Sequence, residues 1–466
     1  MPKSILNRIN LSVEWVVVVA AVMLLNACAE YQPKPLPEGP DLEQRIPRLK
    51  IDARQLPLPI LRSHPFNTDD GLDMIEAAVL AVINNPDLKT RRLQAKIAEA
   101  QLFDAHLLPD PQVSLSGAHP TSGPSPLTDA YGIGLNYDLM ALVTRGAAVN
   151  SARAATRQVD LDILWQEWLT VQQARTLFVQ SVQQSRKQVL LRQAQMLYEQ
   201  RFVRSYQALA AGNLTLNVTG IDLTALLDSN TKVNQMEQHV NQTRHDFNFL
   251  LGLQPGIILD LNSLPPPQPF PEPILQKALA DLPLRRPDLL ALQAGYSSQE
   301  EKVRGAILAQ FPTLSLAPNW GRDTGDVTSI GIGITLSLPV LNANRGQIAV
   351  QRATRGQLAQ AYQARLDQAL TQIDLLQTHY YLLSQARSVL DQKLPILEQM
   401  VEKATRAYQA GNIDSLSYVN MANTLLNQRL EAVDLEQSLW ETRIALDTLL
   451  AWPEESSAPT PGEPRP

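Results

Sequence analysis

The chain has 466 residues, a length that suits two or three domains, and its formal net charge of −6 carries no basic footprint, which argues against nucleic acid as a partner. Aromatics make up only 5%, while Ala, Gln and Leu abound. That composition belongs to long helices packed through small and polar side chains.

Residues 1–27 read as an export signal, with Lys3 and Arg8 ahead of an apolar run from Trp15 to Leu25 that is too short to span a bilayer as a mature helix. The run ends in Leu25-Asn26-Ala27-Cys28, which resembles the lipobox of bacterial lipoproteins, Asn26 being a less usual residue there. Cys28 is the only cysteine, so lipidation is expected at Cys28 and disulfides within the chain are excluded. Residue 29 is Ala, not the Asp that holds bacterial lipoproteins in the inner membrane, so the resemblance implies an outer-membrane destination. Residues 28–68 form a Pro-punctuated, lipidated linker.

From here the chain is written twice. Pro86-Asp87-Leu88 recurs as Pro287-Asp288-Leu289, Gly132-Ile133-Gly134 as Gly331-Ile332-Gly333, Arg145-Gly146 as Arg345-Gly346, and Ala211-Gly212-Asn213 as Ala410-Gly411-Asn412. A unit this long is one duplication, not a solenoid. The first copy spans 69–262 and the second 274–452. A Pro-rich linker, 263–273, joins them, and 453–466 forms a disordered tail.

Each copy opens on helical spacing, Leu72 to Leu108 and Ile274 to Gln310, with Asp69 or Asp70 as the cap of the first. Two short alternating runs follow, Val113 to Ser116 with Tyr131 to Tyr137, and Leu314 to Leu316 with Ile330 to Leu338, separated by Gly, Pro, Ser, Thr and Asp as in a hairpin. The alternation suits a transmembrane barrel, and by itself a half-buried soluble hairpin as well. Then come two helical stretches of about 65 residues, each close to 100 Å at about 1.5 Å per residue. They run from Arg145 to about Ala210 and from Arg345 to about Gln409, with heptad-like apolar spacing and too many Gln and Arg for lipid. Pro395 is expected to kink or interrupt the second. Gly-Asn turns at 212 and 411 reverse the chain into returning helices that end near Leu251 and Leu450.

Four strands cannot close a barrel, and an open edge in lipid leaves backbone groups unsatisfied at several kcal/mol each. Strands in the membrane therefore require oligomerisation, and three copies supply about twelve strands, enough for an open lumen. The fold expected is mainly α with a small β part, a duplicated helix, hairpin, long helix, helix unit.

Along almost all of the mature chain the sequence resembles the TolC-like outer membrane factor family. The resemblance rests on the duplicated Pro-Asp-Leu helix starts, the Pro-x-hydrophobic-Ser-Leu strands, the passage from Leu338-Pro339-Val340-Leu341 to Arg345-Gly346, and the Ala-Gly-Asn turns. Copy one departs from it with Met140 where copy two has Pro339. The resemblance implies a homotrimer with a twelve-stranded outer-membrane β-barrel continued by a periplasmic coiled-coil barrel. It implies an adaptor and an inner-membrane pump as partners, besides outer-membrane lipid. By position, the adaptor-contacting tips are Gly212, Asn213, Arg406, Tyr408, Gly411 and Asn412. Where the family often places two gate aspartates this chain has Ser417 and Asn420, and Asp414 stands nearby as the remaining gate candidate or as a helix cap.

No enzyme is expected, since no nucleophile, base or phosphate loop forms a constellation. Neither cofactor nor metal is expected: His239 and His245 are the closest histidines and lack ligand partners. A pore-less periplasmic coiled-coil scaffold or adaptor lipoprotein is the competing reading, and it leaves the two hairpins unexplained.

Overall fold

The computed structural model describes residues 31–46, 61, 66–67, 70–124, 126–269 and 271–451. The signal segment, Cys28, Asp69 and the tail 453–466 lie outside the described residues. Residues 31–42 belong to a separate small unit without helix or strand, and everything below concerns the unit that starts at Glu43.

Copy one begins with α1 (Met74–Asn84) and α2 (Pro86–His106). The single helical stretch expected here is two helices, because Pro86 cannot donate into the preceding turn and Asn85 serves both as the end of α1 and as the cap of α2. Asn85 Oδ1 accepts from the Leu88 amide at 2.9 Å, and its Nδ2 donates to the Leu250 carbonyl at 3.2 Å. The first cap also differs from expectation. Gly71 turns the chain at φ +93°, Asp70 stays in that turn, and Asp73 caps α1 in a capping box with Glu76.

Next come β1 (Gln112–Ala118), β2 (Ala130–Asp138), the long α3 (Met140–Ala210) and the returning α4 (Leu216–Leu250). Copy two repeats the order as α5 (Glu272–Ala280), α6 (Leu282–Arg285), α7 (Pro287–Leu308), β3 (Thr313–Arg322), β4 (Thr328–Ser337), α8 (Arg345–Gln409) and α9 (Ser415–Leu449). The chain is thus mainly helical with a small sheet.

The two strand-to-helix corners differ for a chemical reason. Met140 has an amide, which donates to Asp138 Oδ1 at 2.8 Å, so α3 starts five residues before Arg145. Pro339 has none, and copy two passes through a turn with Ala343 and Asn344 at φ +44° and +53° before α8 begins at Arg345. Pro395 lies inside α8 without interrupting it. The carbonyl it deprives, that of Asp391, belongs to an exposed residue and can bond water.

Both returning helices are continued by the short helices of their own copy. The Leu250 end of α4 meets the start of α2 through Asn85, and the Leu449 end of α9 meets the start of α7 through Arg286, whose Nη1 donates to the Leu449 carbonyl at 3.4 Å. Arg286 is buried, chelates Asp288 and lies 5.1 Å from the Trp165 ring. Burial pushes the Asp288 carboxyl up, but the hydrogen bonds and charges of Arg286 and Arg365 outweigh it and hold the group below its ordinary range.

The main apolar core lies around these junctions. It joins α1, the stretch of α3 from Trp165 to Val179, and the ends of α4 and α9.

Candidate channel wall and periplasmic tips

The strands form one antiparallel sheet in the order β1, β2, β3, β4. Its register pairs Val113 with Leu135, Leu115 with Ile133, Ile133 with Trp320, Leu316 with Ile334 and Trp320 with Ile330. One face is therefore apolar, and it is exposed: Leu115 at 76%, Ile330 at 83% and Ile332 at 73%. The opposite face carries Ser114, Ser116, Gly132, Gly134, Asn319, Gly331 and Thr335. Its glycines make room for their neighbours. A Cβ on Gly134 would stand 2.6 Å from Ser114 Oγ, and one on Gly331 2.6 Å from Asn319 Oδ1. A contiguous exposed apolar sheet face is a surface built for something other than water. Among the described residues, neither β1 nor β4 has a partner on its outer edge.

At the far end of the long helices both turns close in the same way. Gly212 sits at φ +74° and Gly411 at φ +75°. Asn213 N donates to the Ala208 carbonyl and Asn412 N to the Ala407 carbonyl, each at 2.8 Å, while the glycine amides reach Leu209 and Tyr408 at 3.0 Å. This double closure demands the left-handed conformation at each glycine. Among the described residues nothing stands within 4 Å of where a Cβ would be, so backbone angle and not space calls for glycine.

Behind the turns lies a cluster that sequence reasoning missed. Arg201 of α3 stands 4.5 Å from the Tyr408 ring and 4.6 Å from the Tyr418 ring, and the two rings stack at 5.0 Å. Its Nη2 donates to Asp222 Oδ1 at 2.8 Å and to Ser415 Oγ at 2.7 Å; the Ser415 hydroxyl in turn donates to Asp222 Oδ1 at 3.2 Å. The Asp222 side chain is 1% exposed, so its charge depends on this guanidinium. One turn back, Tyr198 Oη donates to Asn423 Oδ1 at 2.6 Å, and burial pushes that phenol up to about 12. The network draws on α3, α4, α8 and α9, and so fastens the two hairpins to each other. A signal existed: Arg201 stands 11 residues before Gly212 and Asp222 10 after it, which opposes them across an antiparallel helix pair.

Of the tip residues named from sequence, Tyr408 belongs to this cluster. Arg406 is exposed and pairs with Glu402 on its own helix, and Asn213 and Asn412 are exposed in the turns. Asp414, Ser417 and Asn420 lie at three-residue spacing on one exposed face of α9. Asp414 caps that helix: its Oδ1 accepts from the Ser417 amide at 2.8 Å and its Oδ2 from the Ser417 hydroxyl at 2.7 Å. These bonds from Ser417 hold the Asp414 carboxyl below its usual range. Asn420 lines a groove of about 840 Å³ between α4 and α9, with Gly220, Ile221, Thr224 and Val419. His239 and His245 are exposed along α4. Among the described residues no helix is long and apolar enough to cross a membrane.

Residues 276–451 match the family model described as outer membrane efflux protein. The fold is similar to that of the outer-membrane channel OprN, with a TM-score of 0.70 and 15% identity over 91% of this chain and 99% of that one. It is similar to the CmeC outer membrane channel of Campylobacter jejuni, with a TM-score of 0.68 and 15% identity over 88% and 93%. VceC, an outer membrane protein of Vibrio cholerae, follows at a TM-score of 0.66 and 17% identity over 81% and 95%. No curated protein matches the chain by sequence.

Proposed function

We propose that this chain, which carries an outer membrane efflux protein domain and shares its fold with solved outer-membrane channels, is the outer-membrane channel of a tripartite efflux system. The observation that carries the reading is the four-stranded sheet, apolar and exposed on one face, small and polar on the other, with both edges open. Lipid suits the first face and a watery lumen the second. Open edges are intolerable in hydrocarbon, so β4 of one copy pairs with β1 of the next, and three copies close a twelve-stranded barrel. The helices, too polar for lipid, continue the wall into the periplasm. The channel is a passive conduit; an inner-membrane pump supplies energy and chooses cargo, and a periplasmic adaptor docks on the tips around Gly212, Asn213, Arg406, Tyr408, Gly411 and Asn412. Lipidation of Cys28 anchors the N-terminus in the outer membrane.

The gate lies at the tips. Three Asp414 carboxylates, kept ionised by Ser417, face the axis with Ser417 and Asn420. The Arg201–Asp222–Ser415 network holds the hairpins together in the closed state, and opening has to break it.

Heat-modifiable oligomers in outer-membrane fractions, a three-chain mass by native mass spectrometry, and discrete conductance in planar bilayers are the expected results. A stable monomer in detergent that conducts nothing would reject the reading. For the anchor, Cys28→Ser should leave uncleaved or released protein, and a mature N-terminus found elsewhere by mass spectrometry would refute it.

A further inference from the structure

The Pro-rich linker between the two repeats is fastened to the second repeat by three side chains. Trp440 Nε1 donates to the Pro265 carbonyl at 3.1 Å, Tyr380 Oη to that of Pro267 at 3.4 Å, and Arg443 Nη1 to that of Gln268 at 3.1 Å. Prolines have no amide with which to pair as a strand, so these bonds from α8 and α9 are what fix the strip in place. Beneath it, against α8, α9 and the start of α5, lies a cavity of about 830 Å³. That is within the roughly 300–1,000 Å³ of small-molecule sites. The conduit proposed above has no use for it.

The lining is of two kinds. Leu275, Leu439 and Leu446 give an apolar floor, and the rings of Tyr380 and Tyr381 stand on the α8 side. Tyr380 is held by its bond to Pro267, while Tyr381 is 61% exposed and so lies where the cavity opens. Ser384 and Ser388 follow Tyr380 at four-residue spacing and share its face of α8. Gln377 lies one turn before them. Its Nε2 is buried and, among the described residues, has no hydrogen-bond partner. A buried donor without an acceptor is costly, and a ligand that brings a carbonyl removes the cost.

The charges of the lining are already matched within the protein. Arg387 donates to Asp391 Oδ1 at 2.8 Å and to Glu436 Oε2 at 3.3 Å, and Arg443 donates to Asp447 Oδ1 at 3.0 Å. Neither arginine is left to draw an anion. Glu272 stands in the first turn of α5, where the helix amides offset a negative charge. What the cavity offers a ligand is therefore uncharged: an amide donor, hydroxyls that both give and accept, and flat apolar surfaces.

We infer that this cavity binds a neutral acetamido sugar within a short stretch of glycan. The acetamido carbonyl accepts from Gln377 Nε2 and its methyl group rests on the leucines. Ring hydroxyls exchange hydrogen bonds with Ser384 and Ser388, and the apolar face of the sugar lies on the tyrosine rings. A plain sugar lacks the carbonyl, and a charged ligand finds no counter-charge. With the helical wall in the periplasm, as proposed above, the cell-wall glycan is a polymer of acetamido sugars within reach, and the linker ties the channel to it. That source rests on the channel reading, whereas the sugar site does not.

Calorimetric titration of the full-length protein in detergent with chitotriose, the linear trimer of N-acetylglucosamine, tests the site. Saturable binding with a Kd of about 1 mM or tighter is expected. Maltotriose, a trimer without acetamido groups, should bind at least about tenfold more weakly. Gln377→Leu should weaken chitotriose by about three- to tenfold, the worth of one neutral hydrogen bond. It should not lower the unfolding midpoint, since the donor it removes has no partner in the free chain. Ser388→Trp, at an exposed position, should fill the cavity and abolish binding. No saturable binding, binding that survives both substitutions, or equal affinity for maltotriose overturns the sugar site. Sedimentation with purified cell-wall sacculi separates the two sources. Retention that is lost in Ser388→Trp assigns the wall glycan; chitotriose binding without retention assigns a free oligosaccharide and refutes the tie to the wall, with the channel reading untouched.

Discussion

The two long helices descend from one duplicated unit and have opposite fates. α3 buries Trp165, Trp168, Val171, Phe178 and Leu191 among its neighbours, whereas α8 buries only Ile348, Ala369, Ile373, Leu390, Val401 and Ala404 over a similar length. The difference teaches that position in the wall, not descent, sets composition. α3 lies between two columns of its own chain and needs large apolar side chains on two flanks. α8 lies at an edge, and Leu375, Leu382, Val389 and Ile396, seven residues apart, stay exposed along it. The copies diverge in the same manner where their columns join. Copy one uses an uncharged Asn85 at the bend, while copy two places Arg286 there, buried against Asp288 and Trp165.

The sharpest way to break this comparison is to truncate α3. Trp168 is 4% exposed and its Nε1 donates to the Thr448 carbonyl at 3.1 Å. Trp168→Ala should destabilise the fold by about 3–5 kcal/mol. Gln368, 200 residues on, is exposed, and Gln368→Ala should stay within about 0.5 kcal/mol. Midpoints of guanidinium unfolding separate the two; equal shifts would show that the copies share the load.

The junctions come next. Arg286→Ala leaves a buried Asp288 with Arg365, at 2.7 Å, and the Leu289 amide, at 2.9 Å, as its remaining partners, so the cost should fall near the lower end of the roughly 3–5 kcal/mol for breaking a buried pair. Asn85→Ala removes a cap and should cost about 1 kcal/mol. The two also differ in pH dependence. A carboxylate held below its ordinary range contributes stability that is complete above the unfolded-state pKa and is lost as pH falls through the lowered folded-state value. Asp288 is such a group. Arg286→Ala should therefore flatten the acid limb of a stability profile below about pH 4, and Asn85→Ala should leave it unchanged. An unaltered acid limb in Arg286→Ala would place the acid sensitivity elsewhere.

The tips give smaller, functional effects. Asp222→Asn weakens the hold on Arg201, and single-channel recordings should show more frequent opening than in the unaltered chain. Asp414→Asn should reduce cation preference and Ser417→Asp should raise it, since charges gathered around a narrow axis act strongly on passing ions. Reversal potentials across a salt gradient read both. If neither variant moves the reversal potential, this face of α9 does not line the constriction.

Much of this was legible in the chain itself. The duplication, the long helices, the hairpins between them and the Gly-Asn turns are local features, written in periodicity and in residues whose backbone preferences are strong: a glycine at φ +74° or +75° leaves little choice. What local chemistry states less firmly was read less well. The break at Asn85 and the cap at Asp73 depend on where α4 ends and where Gly71 turns, and Pro395 is tolerated where the carbonyl it strands belongs to an exposed residue. The tip cluster needed the tertiary structure most, since Tyr408, Ser415 and Tyr418 come from the second copy and meet Arg201 only after both hairpins have folded against each other. Sequence periodicity tells which face of a helix is apolar, while only packing decides which neighbour that face will find, because contacts between distant segments carry no signature in either segment alone.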